Sequence, residues 1–245
     1  MPTSYICHYG LPQLEELAGV DWALVQAGHF SAEQVAYLHQ HHTQTFAYLA
    51  LSQEGITAES ECRPWHLRDQ HGRPIRNANW PTWLVDCNSA EWHAELLNKQ
   101  IPALTARGFQ GLFLDTLDII GPLPSLKSGL IALIKAIHQQ YPALKLIANR
   151  GFELYPEIHD CLAGVLFEAF TTAYTNGRYA TWDEEGLAWT TVQANLLRTR
   201  YPHLPVLALD YADPNDEVLR QLAIGRARAH GFVPFVTDWR VGAGN

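Results

Sequence analysis

Four short apolar segments of this sequence close on an acid: Gly111–Asp115 (Gly-Leu-Phe-Leu-Asp), Gly164–Glu168 (Gly-Val-Leu-Phe-Glu), the run ending Leu209-Asp210-Tyr211, and the run ending Thr237-Asp238-Trp239. A carboxylate at the end of a segment that must be buried is costly unless it has a partner, a shifted pKa or a substrate. Chance could place one acid in this way. Asp115, Glu168, Asp210 and Asp238 converging on one face would be harder to dismiss. Two carboxyl groups facing each other across a cleft are what glycosidic bond cleavage requires. One must hold a proton to give to the leaving oxygen, and the other must be ionised to attack the anomeric carbon or to activate water. Asp115 and Glu168 are the pair of interest. The competing account of these acids is structural: they would cap loops or pair with Arg150, Arg178 or Arg240.

Around that pair stand residues able to support it. Asp118, in the segment leaving Asp115, would bind a sugar hydroxyl or amine, or cap a helical turn. Asn149 and Arg150 close another apolar run and would contact substrate or hold a carboxylate; a guanidinium beside Asp115 would keep it ionised. Asp210 and Tyr211 would complete the polar ring, with Tyr48 on the same rim. Tyr48 also fits as core with a satisfied hydroxyl. Aromatic side chains stack on pyranose faces, and the sequence carries 8 Trp. Trp65, Trp80, Tyr174, Tyr179 and Trp239 fall in connections and would serve as platforms, whereas Trp22, Trp92 and Trp189 fall inside regular elements and read as packing.

The elements that must position these groups alternate. Strand-like runs cover Tyr5–Tyr9, Trp22–Gln26, Thr45–Leu51, Trp83–Val85, Gly111–Asp115, Lys145–Asn149, Gly164–Glu168, Val206–Tyr211 and Pro234–Thr237, and helical patterns cover Ala32–His41, Ala90–Arg107, Leu126–Tyr141, Glu184–Arg200 and Asn215–His230. In the third helix Leu130, Ile131, Leu133, Ile134 and Ile137 recur at helical spacing until Pro142 stops it. Such alternation implies βαβ units, a parallel sheet and right-handed crossovers. Trp83–Val85 is the shortest run and follows a Gly/Pro/Asn-rich stretch, so it is read as an accessory strand in the third βα connection. The remaining eight give an α/β fold, a single (β/α)8 TIM barrel occupying residues 1–245 as one domain. An open doubly wound sheet is the runner-up, but Tyr9-Gly10-Leu11-Pro12 is no phosphate loop. In a barrel, chemistry collects at the C-terminal ends of the strands, where these acids lie. The sixth connection, Ala169–Asp183, would cover part of the cleft.

Composition narrows the classes. Of 245 residues, 47% are hydrophobic, ample for a core, and no run approaches the roughly 18 apolar residues of a membrane span. With 17 Lys+Arg against 25 Asp+Glu and no basic cluster, nucleic acid is a poor partner, whereas a neutral or cationic substrate suits the charge. Cys7, Cys62, Cys87 and Cys161 form no C-x-x-C, and no metal motif occurs; unpaired thiols and no metal or other cofactor are expected. Met-Pro-Thr-Ser runs straight into a strand without a visible leader.

Three segments, two of which carry these acids, also carry a resemblance. Gly-Phe-Gln-Gly-Leu-Phe-Leu-Asp-Thr-Leu-Asp (108–118), Ala-Asn-Arg-Gly-Phe-Glu (148–153) and Leu-Ala-Leu-Asp-Tyr (207–211) resemble the endo-α-1,4-polygalactosaminidase family of barrel glycoside hydrolases, and within it the Pel-polysaccharide-processing hydrolase domains. Residues 47–52 and 231–237 agree with those domains, so the resemblance runs from about Tyr9 to Asp238. It implies an endo-hydrolase of α-1,4-linked galactosamine or N-acetylgalactosamine polysaccharide. By analogy Asp115 is the nucleophile and Glu168 the acid/base of a retaining mechanism, or the two in exchanged roles. A monomer is expected, and the resemblance implies a periplasmic or secreted protein where the missing leader alone is equally consistent with a cytoplasmic one. Two departures stand out. Glu54 is one step from the family's usual Ser/Gly-Glu position, and Phe167 and Ala169-Phe170 flank Glu168 where Pel-type domains have small residues. The alternatives in other classes are a non-catalytic carbohydrate-binding barrel and another small-sugar enzyme on the same fold.

Overall fold

The computed structural model describes residues 1–55 and 62–242. Its strands, in chain order, are β1 (Tyr5–His8), β2 (Trp22–Val25), β3 (Gln44–Ala50), β4 (Gln53–Gly55), β5 (Thr82–Leu84), β6 (Gly111–Asp115), β7 (Lys145–Asn149), β8 (Gly164–Glu168), β9 (Thr172–Thr175), β10 (Arg178–Thr181), β11 (Val206–Tyr211) and β12 (Val233–Thr237). Eight of them form one sheet in the order β1-β2-β3-β6-β7-β8-β11-β12. Every neighbouring pair is parallel. The two edges meet: the Tyr9 N–H donates to the Val241 carbonyl at 2.7 Å, and the rings of Tyr5 and Phe235 lie 5.6 Å apart. The architecture is a (β/α)8 TIM barrel.

A two-residue alternation builds it. One set of strand residues, among them Tyr5, Cys7, Leu24, Phe46, Phe113, Ile147, Leu166, Leu207 and Leu209, packs together inside the barrel. The interleaved set, including Val25, Leu49, Leu112, Leu114, Ala148, Val165, Phe167 and Ala208, packs outward under the helices. Those helices are α1 (Leu14–Leu17), α2 (Ala32–Gln40), α3 (Ala90–Glu95), α4 (Ile101–Ala106), α5 (Lys127–Gln140), α6 (Tyr155–Ile158), α7 (Glu184–Arg200) and α8 (Glu217–Ala229). α5 buries Leu130, Leu133, Ile134 and Ile137, the i, i+3, i+4, i+7 face of an amphipathic helix. α2 opens with a capping box between Ser31 and Gln34.

Two elements differ from the expectation. The single helix foreseen over Ala90–Arg107 is α3 and α4 joined by a π turn at Leu96–Gln100. Pro102 has no N–H for an i→i−4 bond, and the widened turn accommodates the missing donor. The accessory strand is Thr82–Leu84, and it pairs antiparallel with β4, a strand that polar Gln53-Glu54-Gly55 does not advertise. No helix among the described residues is long and apolar enough to cross a membrane.

β6, the strand that carries Asp115, begins at a point of close approach. A Cβ on Gly111 would lie 2.4 Å from the Phe46 ring and 2.6 Å from the Lys145 carbonyl. Gly111→Ala is therefore expected to destabilise the protein by about 1–3 kcal/mol through overpacking. Urea unfolding of the variant beside the parent measures it, and equal stability would remove this account of the glycine.

Candidate active site

At the mouth of the barrel the alternation decides which strand ends look inward. Asp115 follows the parity of Phe113, Asn149 that of Ile147, Glu168 that of Leu166, Tyr211 that of Leu209 and Tyr48 that of Phe46, all interior residues. Directly after three of these strand ends the chain turns through a left-handed residue that is not glycine: Thr116 (φ 63°), Arg150 (φ 50°) and Ala169 (φ 51°). Each costs on the order of 1 kcal/mol, and each is held by its surroundings. The Thr116 hydroxyl donates to the Asp115 carbonyl at 2.7 Å and accepts from the Ser52 N–H at 3.0 Å. The Arg150 N–H donates to Leu166 at 2.9 Å, and the Ala169 N–H to Leu209 at 2.7 Å. These abrupt turns end the strands on Asp115, Asn149 and Glu168 and carry the chain away from the mouth.

The inward groups form one network. The Asn149 amide donates to Asp115 Oδ1 at 2.8 Å and to Glu168 Oε2 at 2.7 Å. The Tyr211 hydroxyl donates to Glu168 Oε1 at 2.6 Å. The two carboxyl groups thus approach each other to no more than the two amide bonds laid end to end. Retaining pairs stand roughly 5–5.5 Å apart and inverting pairs about 6.5–9.5 Å. Tyr48 lies against Asp115 from β3, and Tyr9 meets Tyr48 edge-on at 5.5 Å. Below them Cys7 closes the floor.

Electrostatics separate the groups. Burial, and then the charge of Asp115, push the Glu168 carboxyl up; hydrogen bonds from Tyr211 and Asn149 and the Arg150 charge pull against this without cancelling it. Burial likewise raises the Tyr9, Tyr48 and Tyr211 hydroxyls and the Cys7 thiol, so all remain protonated donors at neutral pH. The site is a pair of carboxyl groups, with burial favouring the protonated form of Glu168, ringed by neutral donors.

Other residues fall elsewhere. Asp210 and Asp238 take the outward parity and do not join the ring. Asp210, buried under the helices, accepts the Thr171 and Thr172 N–H groups at 2.6 and 2.7 Å, while Asp238 accepts the Arg240 and Val241 N–H groups at 2.8 and 3.1 Å. Among the described residues Arg150 makes no hydrogen bond or ion pair with Asp115; its guanidinium lies over the Trp189 ring of α7, 5.4 Å from the centroid. Asp118, exposed on a 3-10 turn at Leu117–Ile120, shares a small cavity of about 120 Å³ with Arg150 and Trp189. Glu54 is held by Trp65 Nε1 and His66 Nε2, both at 2.8 Å, which makes Trp65 part of a structural cluster rather than a free platform. Tyr174 and Trp239 stack at 5.2 Å with their planes 7° apart, and Tyr179 adds its ring to Tyr174 at 4.8 Å. The sequence reading missed Cys7 and Tyr9, which the same inward parity applied to β1 reveals. It also missed that Ala169–Asp183 holds a hairpin, β9–β10. Asn176 (φ 52°) and Gly177 (φ 76°) form its two-residue turn, and Asn-Gly between two Thr/Tyr-rich runs is the usual signal of such a turn.

Residues 9–244 match the family model of glycoside-hydrolase family GH114. The chain belongs to that family. Among solved structures, this GH114 glycoside hydrolase is similar to the glycoside hydrolase domain of PelA from Pseudomonas aeruginosa, at 28% identity and a TM-score of 0.88, with 99% of this chain and 97% of that one covered. Ega3 of Aspergillus fumigatus, solved in complex with galactosamine, shares the fold at 11% identity and a TM-score of 0.73, covering 99% of this chain and 93% of that one. So does the α-galactosidase of Thermus thermophilus, at 16% identity and a TM-score of 0.61, covering 96% of this chain and 57% of that one. No curated protein sequence matches.

Asp210 gives this GH114 chain a distinct pH signature. Burial lifts its carboxyl from 3.8 to about 6, against the pull of two amides and the Arg226 charge. Between those values the folded protein binds the proton that the unfolded chain has lost, so this group's contribution to stability falls as pH rises from about 4 to about 6. Asp210→Asn abolishes the titration. The stability difference, variant minus parent, is expected to climb across that window with a slope of up to about 1.4 kcal/mol per pH unit. Denaturant unfolding at a series of pH values reads it, and a flat difference would contradict the assignment.

Proposed function

We propose that this glycoside hydrolase is an endo-acting enzyme on α-1,4-linked galactosamine or N-acetylgalactosamine polysaccharide, working with retention of anomeric configuration. The observation that carries the reading is the single Asn149 amide joined to both carboxyl groups. Glu168, whose carboxyl burial pushes up and so favours in its protonated form, gives its proton to the glycosidic oxygen as the bond to the anomeric carbon breaks. Asp115 attacks that carbon and forms the glycosyl-enzyme. Glu168, now ionised and held by Tyr211, takes a proton from a water that attacks the same carbon and frees Asp115. Asn149 orients both carboxyl groups through the sequence.

The substrate class rests on the family resemblance and on charge. The solved relative Ega3 was captured with galactosamine, and this chain carries a formal net charge of −8, which suits a polymer bearing protonated amines. The Tyr174–Trp239 stack at the rim offers a face for a sugar ring beyond the reacting one, and Trp239 is 41% exposed.

Glu168→Gln and Asp115→Asn are each expected to lower kcat on such a polymer by about 10²–10⁴-fold with the fold intact. Full activity in either variant would refute the pair. Proton NMR of the first product formed should show the α-anomer; a β-anomer first would overturn retention. Trp239→Ala should raise KM for the polymer about tenfold while kcat stays within a few-fold, because the ring acts in binding away from the reacting bond.

A further inference from the structure

Asp210 is an acid that the chemistry leaves unused, and its surroundings are unusually well connected. It lies on β11 one residue before Tyr211, the donor to Glu168, with its side chain on the opposite face of the strand. One oxygen, Oδ1, accepts the N–H groups of Thr171 and Thr172, the residues that lead into β9. The Thr172 hydroxyl donates to the same oxygen at 3.4 Å and accepts the Tyr211 N–H at 3.1 Å. Asp210 thus clasps the root of the β9–β10 hairpin to the strand that supports Glu168.

The clasp does not stand alone. The segment from Glu168 to the hairpin passes through the strained Ala169, whose carbonyl accepts Trp182 Nε1 at 2.7 Å. Arg226 of α8 donates to the Phe170 carbonyl at 2.5 Å and lies 4.0 Å from the centre of the Phe170 ring. Its other nitrogen reaches the Thr190 and Thr191 hydroxyls of α7 at 2.9 and 2.8 Å. A left-handed alanine persists only where its neighbours over-determine it. At the far end of the hairpin, Tyr174 stacks on Trp239, and the Tyr179 hydroxyl accepts the Trp239 N–H at 3.2 Å. The root held by Asp210 therefore sets where the aromatic face stands relative to Glu168.

We propose that Asp210 is a positioning residue: by holding Thr171 and Thr172 it fixes the β9–β10 hairpin, and with it the Tyr174–Trp239 face, against the Glu168 end of the groove. Its role in the reaction rests on the reading of Glu168 and of the aromatic face given above. Its role in ordering the hairpin does not.

The test compares Asp210→Ala, which leaves two buried N–H groups without an acceptor, with Asp210→Asn, whose side-chain carbonyl still accepts both. In the alanine variant KM for a galactosamine polymer should rise about tenfold or more with kcat changed by no more than a few-fold, and the asparagine variant should return KM to near the parent value. Trypsin cleavage after Arg178, at the hairpin tip, should be markedly faster in Asp210→Ala than in the parent or in Asp210→Asn, under conditions where circular dichroism shows all three folded. Should the alanine variant fail to fold, Thr172→Val, which removes only the hydroxyl links to Asp210 and Tyr211, takes its place with the same expected order. Unchanged KM together with unchanged cleavage at Arg178 would overturn the proposal. So would an equal loss of kcat in the alanine and asparagine variants, since that result assigns Asp210 to the chemistry. Faster proteolysis in a protein whose Glu168→Gln variant keeps full activity would sustain the clasp and overturn the reading of the reacting pair.

Discussion

The Asn149 side chain gives one N–H to Asp115 and the other to Glu168, and the reacting end of the barrel is organised around that bridge. A side-chain amide has two donors at a fixed spread, so the acids it serves are held at one separation and in one relative orientation. Two ionised carboxylates this close would repel each other strongly. The bridge supplies donors to both but no positive charge, so the repulsion is relieved by one group keeping a proton. Burial raises the Glu168 carboxyl and so favours the proton there. An arginine in place of Asn149 would neutralise the pair and let both acids ionise, removing the proton donor. A neutral donor at this position is what allows one site to hold an acid and a carboxylate together.

That bridge depends on backbone as much as on side chains. β6, β7 and β8 each end on an inward residue and are then turned away by a left-handed one, Thr116, Arg150 or Ala169. Had any of these strands continued extended, the next side chain to point inward would have been two residues on and about 7 Å higher, and the three functional groups would not share a level. The strain at the three turns is the cost of ending three neighbouring strands together. It is met by hydrogen bonds between strand ends, such as Ala169 to Leu209 and Arg150 to Leu166, which also tie the reacting groups to one another. The same turn carries Arg150, adjacent in sequence to Asn149, over the Trp189 ring.

The barrel, its strand order and the acids at its mouth were legible because they rest on local pattern: apolar strands of regular length, helices with a clear apolar face, and charge at the strand ends. What went astray was a matter of parity. Reading four acids as one ring treats a strand end as a point, whereas a strand has two faces, and counting back from Leu209 puts Tyr211 inward and Asp210 outward. The same count separates Thr237 from Asp238. β9–β10 carries a hairpin signal in Asn176-Gly177 that is visible once a long connection is searched for strands of its own. The partners of Glu54 were not legible at all. Trp65 and His66 lie outside the named helices and strands, and no periodicity relates them to Glu54.

Glu168 and Asp210 show how far the surroundings, rather than the residue type, set a role. Both are acids near the end of adjacent strands, and burial raises both. The partners of Glu168 are side chains of neighbouring strands, Asn149 and Tyr211. Asp210 is turned under the helices, and its partners are backbone N–H groups that need an acceptor in every state of the protein. An acid held by movable donors can pass a proton to a substrate; an acid that completes the hydrogen bonding of buried backbone cannot leave that duty without exposing unpaired N–H groups. Which face of the strand an acid occupies therefore sets its partners: side chains of neighbouring strands for Glu168, buried backbone N–H groups for Asp210.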